Sequence, residues 1–332
     1  MARYIARRFL QYLLIIFIAN SLTFLVPRFI KGDPIAEALR VKEAAAGAQN
    51  YDVQAFAQAY RERFGLDKPL WQQFINYWVD VLRLDFGYSL YRFPTTVMTM
   101  VMAALPWTLG FMTIATLLAF LVGSALGALM AWPSSPRALQ GIVPVLMLVS
   151  AIPFYLVGLA LIWVFAVELG WFPAGRGFSA TLIMGFNWKT AVDIVQHAIL
   201  PSLSLAIAGV GAWALGMRAM TTSVLGEDYI TFAQAKGLPS WQIFLNYGVR
   251  NALLPQVTGL AVQMGLIIGS SVLVETIFNY PGIGNLTFLA INTRDYFLIN
   301  GTVFFMILFS ATALFLVDLL YPLIDPRIRY AN

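Results

Sequence analysis

Six long stretches of this chain carry no charged residue: Phe9–Pro27, Phe93–Pro136, Ala138–Val167, Ile194–Met217, Asn251–Val274 and Tyr296–Val317. A bilayer core of about 30 Å needs roughly twenty apolar residues at 1.5 Å of helical rise each, and each stretch approaches or exceeds that. Lipid offers backbone amides no partners, so spans of this kind must be helical. A seventh uncharged stretch, Gly177–Trp188, is too short to cross. Charged residues are 11% of the chain and hydrophobic ones 60%, against about 25% charged in a soluble protein. The expected fold class is an all-α membrane protein with six transmembrane helices.

Arg3, Arg7 and Arg8 precede the first run, which places the N-terminus in the cytoplasm by the positive-inside rule. The apolar run is longer than a signal-peptide core and no A-x-A site follows, so an uncleaved first helix is expected. Six spans return both termini to the same side. Arg137, the segment Arg218–Arg250, and Arg327 with Arg329 then become cytoplasmic. The short outer loops hold Arg176, Lys189 and Arg294, so the charge bias is modest.

Between the first two spans lies an extracytoplasmic region. Asp33 and Pro34 suit a helix start, and Val53, Phe56, Ala57, Tyr60 and Phe64 repeat with helical spacing before Gly65. Trp71, Phe74, Tyr77 and Trp78 suit the headgroup level, or a docking surface for an external partner. Within the spans, Gly123 and Gly127 form a G-x-x-x-G pair that permits close helix approach, and Pro144, Pro153 and Pro201 would break or kink helices.

Charges bound the spans rather than interrupt them, which disfavours proton or cation coupling at the midplane. Glu275 follows Pro255 by twenty residues, about 30 Å along a helix, and should lie near the outer surface, with Asp318 near the inner end of the last span. The single histidine, His197, reads as a hydrogen-bonding residue rather than a metal ligand. Cysteine is absent, so thiolate chemistry and Cys-type metal sites are excluded. No H-E-x-x-H, G-x-S-x-G or phosphate-binding G-x-x-x-x-G-K-[ST] motif occurs, so neither catalysis nor ATP binding by that loop is expected of this chain. Nucleic-acid binding has no support. If the chain transports, a partner must supply the energy.

The polar stretch Glu227–Pro255 lies between the fourth and fifth spans and reads as a helical hairpin. Glu227 and Asp228 favour a helix N-terminus, and Tyr229, Phe232, Ala233 and Lys236 share one face. Gly237 suits the residue just past the helix end, Pro239 stops continuation, and Ser240 can cap a second helix. That helix would carry Trp241, Phe244, Leu245 and Gly248 on one side and end at Pro255. Docking to a soluble partner and lying on the membrane are equally compatible with this pattern.

Several pieces together resemble the permease subunits of binding-protein-dependent ATP-binding-cassette importers, in the dipeptide/oligopeptide/nickel branch. Thr231-Phe232-Ala233 with Gly237 is a degenerate form of the Glu-Ala-Ala-x-x-x-Gly signature. More specific are Gly226–Tyr229, Ala235–Gly237, Arg250–Pro255, Val274–Phe278, Pro281–Gly284 and Leu200–Leu203. Gly32–Pro34, Gly65–Leu70, Asp85–Ser89 and the tail from Asp318 to Arg327 extend the resemblance end to end.

The resemblance implies residues 1–30 as N-terminal end and first helix, 31–95 as the extracytoplasmic region, 96–322 as a type-1 transmembrane domain with a coupling hairpin at 227–255, and 323–332 as a cytoplasmic tail. It implies a cell inner membrane location and import of a di- or oligopeptide, with an oligosaccharide or nickel chelate as other cargo of this branch. The partners would be a second permease, two ATP-binding subunits that hold ATP and magnesium, an external solute-binding protein and membrane lipid. Tyr229, Ala233, Ala235, Lys236, Gly237 and Leu238 are the candidate coupling residues. The competing reading is a stand-alone secondary transporter or channel.

Overall fold

The computed structural model describes residues 2–29, 58, 62, 65, 67–183 and 185–324. The helix expected around Val53–Phe64, the start at Asp33-Pro34 and the tail beyond Ile324 lie outside them. Among the described residues the regular structure is helical, with a single isolated bridge between Tyr88 and Thr96. The helices are α1 (Ala2–Phe29), α2 (Leu70–Arg83), α3 (Val97–Ala131), α4 (Arg137–Ala151), α5 (Phe154–Leu161), α6 (Trp188–Leu225), α7 (Asp228–Ala235), α8 (Ser240–Ile243), α9 (Arg250–Ile277), α10 (Ile283–Asn292) and α11 (Tyr296–Ile324).

Among the described residues, four helices are long and apolar enough to cross a membrane: those containing Arg3–Val26, Val97–Ala131, Trp188–Leu225 and Tyr296–Leu319. The run Ala138–Val167 is not one straight helix. It breaks at Pro153, where α4 and α5 meet at 95°, and α5 continues as a π-helical turn over Ile162–Glu168. Proline lacks the amide that would continue the α4 ladder, and its predecessor Ile152 is extended (ψ 123°). Pro144 and Pro201, by contrast, sit inside continuous helices.

The chain divides into two compact units, Met1–Thr108 with Pro281–Thr312, and Leu109–Tyr280 with Ala313–Asn332. In the first, α2 packs on α1 through aromatic rings: Phe24 meets Phe74 and Tyr77 with centroids 5.4 and 5.2 Å apart, and Phe17 stacks on Trp78 at 4.9 Å. The four aromatics of α2 therefore do not share one interfacial face. Tyr77 is buried and Trp71 exposed, alongside Ile75 and Leu82.

The Asp85–Ser89 segment is pinned by Asp295. This fully buried carboxylate accepts from Ser89 Oγ (2.6 Å) and Tyr91 N (3.1 Å), and its other oxygen caps α11 by accepting from Leu298 N (3.1 Å). Burial holds its pKa above the usual carboxylate value even though these donors pull the other way. Asp295→Ala leaves three donors unsatisfied, two of them buried, and is expected to cost about 2–4 kcal/mol, read as a lower thermal midpoint in detergent. Asp295→Asn, which keeps an acceptor, should lose less. A raised folded-state pKa means protonation favours the fold. This group's contribution is therefore greatest below the unfolded pKa and falls as pH rises through the folded one.

The second unit packs α6 against α4, α5 and α9. Gly123 and Gly127 are where α3 meets α6. A Cβ on Gly123 would lie 2.7 Å from the Val210 carbonyl oxygen, and one on Gly127 would lie 2.8 Å from Met217 Cβ and against the Ala214 carbonyl. The G-x-x-x-G pair thus makes the close approach expected of it. Glu275 occupies the last turn of α9 but is fully buried, and Tyr280 N donates to its backbone carbonyl at 2.7 Å. His197 is buried with Nδ1 2.7 Å from the Asp193 carbonyl, in keeping with a hydrogen-bonding role.

Candidate coupling hairpin

The hairpin begins where α6 ends at Leu225 and the chain passes through Gly226 and an extended Glu227 into α7. Asp228 in the first turn complements the helix dipole. The end of α7 is a complete Schellman motif. Lys236 is the cap, Gly237 follows at φ +72°, Gly237 N donates to Gln234 O (2.9 Å), and Leu238 N donates to Ala233 O (3.4 Å). Leu238 also packs against the cluster that holds Ala233, in keeping with the apolar contact that accompanies this motif. Glycine is needed at 237 for backbone reasons alone, because nothing lies within 4 Å of where its Cβ would be.

The second arm departs from expectation in three ways. Ser240 is not a cap. Pro239 holds that position in extended conformation (ψ 141°), so Ser240 is already the first helical residue and makes no capping bond. The four-residue α8 runs into a π-helical turn over Phe244–Val249 and then directly into α9. Nor does Pro255 end the arm, because α9 continues through it to Ile277. Proline is tolerated in this early part of α9, where neighbouring packing holds the helix. The arm and the apolar helix are consequently one continuous helical run.

Packing sorts the faces. Ile230, Ala233 and Ile243 form the small core between the arms, flanked by Leu225 and Leu238. Phe244 joins Ala128, Met217 and Ala252 in a second cluster and stacks on Trp132 at 5.2 Å and 12°. This ties the hairpin to α3 and α6. Phe232, Trp241 and Leu245, expected on packing faces, instead point outward, with Phe232 69% and Trp241 58% exposed. The reason is register: Ile230 and Ala233, three apart, take the inner stripe and leave Phe232 on the other side.

Of the six candidate residues, Ala233 is buried, Leu238 half-buried, and Tyr229, Ala235, Lys236 and Gly237 exposed. Tyr229 and Lys236 thus share one exposed surface with Phe232, while Ala233 and Leu238 shape the turn from inside. Asn251 was not foreseen. Its Nδ2 donates to Tyr229 Oη (3.2 Å) and to Tyr247 O (2.9 Å), bracing the first arm on the second. Its place in Arg250–Pro255 gave the only hint, a polar residue at the mouth of an apolar run.

The family model described as "Binding-protein-dependent transport system inner membrane component" matches residues 123–330, which include the whole hairpin, α6 and the last part of α3. The chain belongs to this family. As a family member it is an inner membrane transport component rather than an enzyme. Its relatives match along the full length. The oligopeptide transport system permease protein AppB of Bacillus subtilis is 34% identical over 99% of this chain and 100% of the relative. The glutathione transport system permease protein GsiC of Escherichia coli is 33% identical with the same coverage.

Proposed function

We propose that this chain is the pore-forming permease subunit of an ATP-driven importer of short peptides, with Tyr229, Ala233, Ala235, Lys236, Gly237 and Leu238 receiving force from a separate ATPase. The carrying observation is a capped turn whose second arm is continuous with an apolar helix, because a continuous helix transmits displacement that a flexible loop would absorb. The exposed Tyr229, Phe232 and Trp241 suit burial against a soluble partner. A peptide cargo is supported by the printed activities of the two relatives, carriers of oligopeptide and of the tripeptide glutathione.

In this reading six helical passes leave both termini and the hairpin in the cytoplasm, with the bent α4–α5 pair counted as one pass. A second permease completes the pore, two ATP-binding subunits hold ATP and magnesium, and an external binding protein delivers the peptide. ATP-driven closure of the ATPase pair moves both hairpins and opens the cavity outward. Hydrolysis reverses it.

The native chain has no cysteine, so topology is testable with single replacements. Lys236→Cys should react with an impermeant maleimide only in inside-out vesicles, and Arg83→Cys only in intact spheroplasts. Labelling of both from one side overturns the topology. Purification with the neighbouring gene products should yield two nucleotide-binding subunits, and peptide uptake by this chain alone would favour a stand-alone transporter.

A further inference from the structure

The first compact unit contains a cavity of about 280 Å³, close to the lower end of small-ligand pockets at roughly 300 Å³. Its wall carries both signs of charge: Arg28 from the last turn of α1, Asp80 from α2, and Asp85 just beyond it. Arg28 is partly used, with Nη1 donating to Phe24 O (2.6 Å) and Nε reaching Gln73 Oε1 (3.3 Å). A guanidinium has five N–H donors, so others remain. Burial lowers its pKa to about 10, which leaves it charged at neutral pH.

Among the described residues no ion pair joins Arg28 to Asp80 or Asp85, although Arg83 lies near Asp80. The electrostatic neighbours of Arg28 are Tyr77 and Tyr296, whereas those of Asp80 are Asp85 and Arg83. Burial first, and then the nearby Asp85, push the Asp80 carboxyl up. Two further wall residues, Tyr77 and Asn300, are more than nine-tenths buried, and each has a side-chain oxygen with no partner among the described residues. No group of three or more His, Asp or Glu side chains converges among the described residues, so a divalent-cation site is not indicated. Two repelling carboxylates with spare acceptors nearby suit a compact ammonium, and Arg28 suits an anion.

We propose that this cavity binds a zwitterion, with a primary ammonium at Asp80 and Asp85 and an anionic group on Arg28. Such a molecule has two natural sources: a phosphoethanolamine headgroup, since Arg28 directly follows an apolar run and so lies at headgroup level, or the backbone of a short peptide.

The full-length chain, delipidated in detergent, is titrated by calorimetry with short-chain phosphatidylethanolamine, short-chain phosphatidylcholine and dialanine. Saturable binding of phosphatidylethanolamine, of dialanine, or of both is expected, and which one binds identifies the source. Phosphatidylcholine, whose quaternary nitrogen cannot donate, should bind at least tenfold more weakly than phosphatidylethanolamine. Asp80→Asn should weaken binding by about 10-fold or more without lowering the thermal midpoint, because Asp80 is exposed and its side chain makes no hydrogen bond or ion pair among the described residues. Equal binding of the two lipids with none of dialanine, no binding at all, or unchanged affinity in Asp80→Asn overturns the proposal. The readout is binding to this chain, so it succeeds or fails separately from the transport assignment.

Discussion

Gly127→Val is expected to prevent this chain from accumulating as a folded membrane protein. The backbones of α3 and α6 approach so closely here that even a Cβ meets the Ala214 carbonyl and comes within 2.8 Å of Met217 Cβ. Neither obstacle is the movable end of a long side chain. The helices must separate, and the cluster of Ala128, Met217, Phe244 and Ala252 beside the contact loses its packing. Overpacking of a well-filled site typically costs about 1–3 kcal/mol, and a backbone obstacle puts this one at or above the upper end. Gly110→Ala on α3 and Gly141→Ala on α4 are matched controls, since nothing lies within 4 Å of either Cβ position. Each should be neutral or stabilise by up to about 1 kcal/mol through helix propensity. Fluorescence-detected size-exclusion chromatography of tagged variants reads the difference. A monodisperse Gly127→Val peak at parental yield would show that the helices do not meet there.

That contact was legible because four-residue spacing of glycine in an apolar run has one main structural use. Gly237 was legible for a similar reason: glycine followed by a leucine and a proline after a short helical pattern is turn chemistry, and the positive φ followed. The long apolar helices were legible from the absence of charge alone. What the sequence hid depends on partners distant in the chain or on choices between near-equal alternatives. Asp295 looks like one acid beside Arg294, and only folding brings Ser89 to it across 206 positions. Phe232 and Ile230 are both apolar residues of one short helix, so composition could not say which would face Ile243. The π-helical turns at 162–168 and 244–249 leave no periodicity to detect. Continuity through Pro255 escaped notice because a proline signals a local break and tertiary contacts decide whether the helix survives it.

Gly237→Val is expected to abolish peptide uptake while leaving membrane insertion intact. The residue is exposed and has open space around it, so the cost is confined to backbone conformation. Holding an L-residue in the left-handed region costs about 1–2 kcal/mol, more for a β-branched one, which shifts the turn's population by roughly 5–30-fold. Once the turn opens, the bonds from Gly237 N to Gln234 O and from Leu238 N to Ala233 O are lost together, and Leu238 leaves the core of Ile230, Ala233 and Ile243. The exposed surface of Tyr229, Phe232 and Lys236 is then no longer held on the second arm by this turn. Gly237→Asn separates conformation from mere side-chain bulk, because asparagine tolerates the left-handed region and should retain most of the uptake. Uptake of a labelled peptide and substrate-stimulated ATPase activity, measured on the reconstituted transporter, should both collapse for valine and largely survive for asparagine. Parental ATPase stimulation in the valine variant would mean that the turn at Gly237 carries no force, and equal loss in both variants would point to side-chain bulk at the partner surface instead.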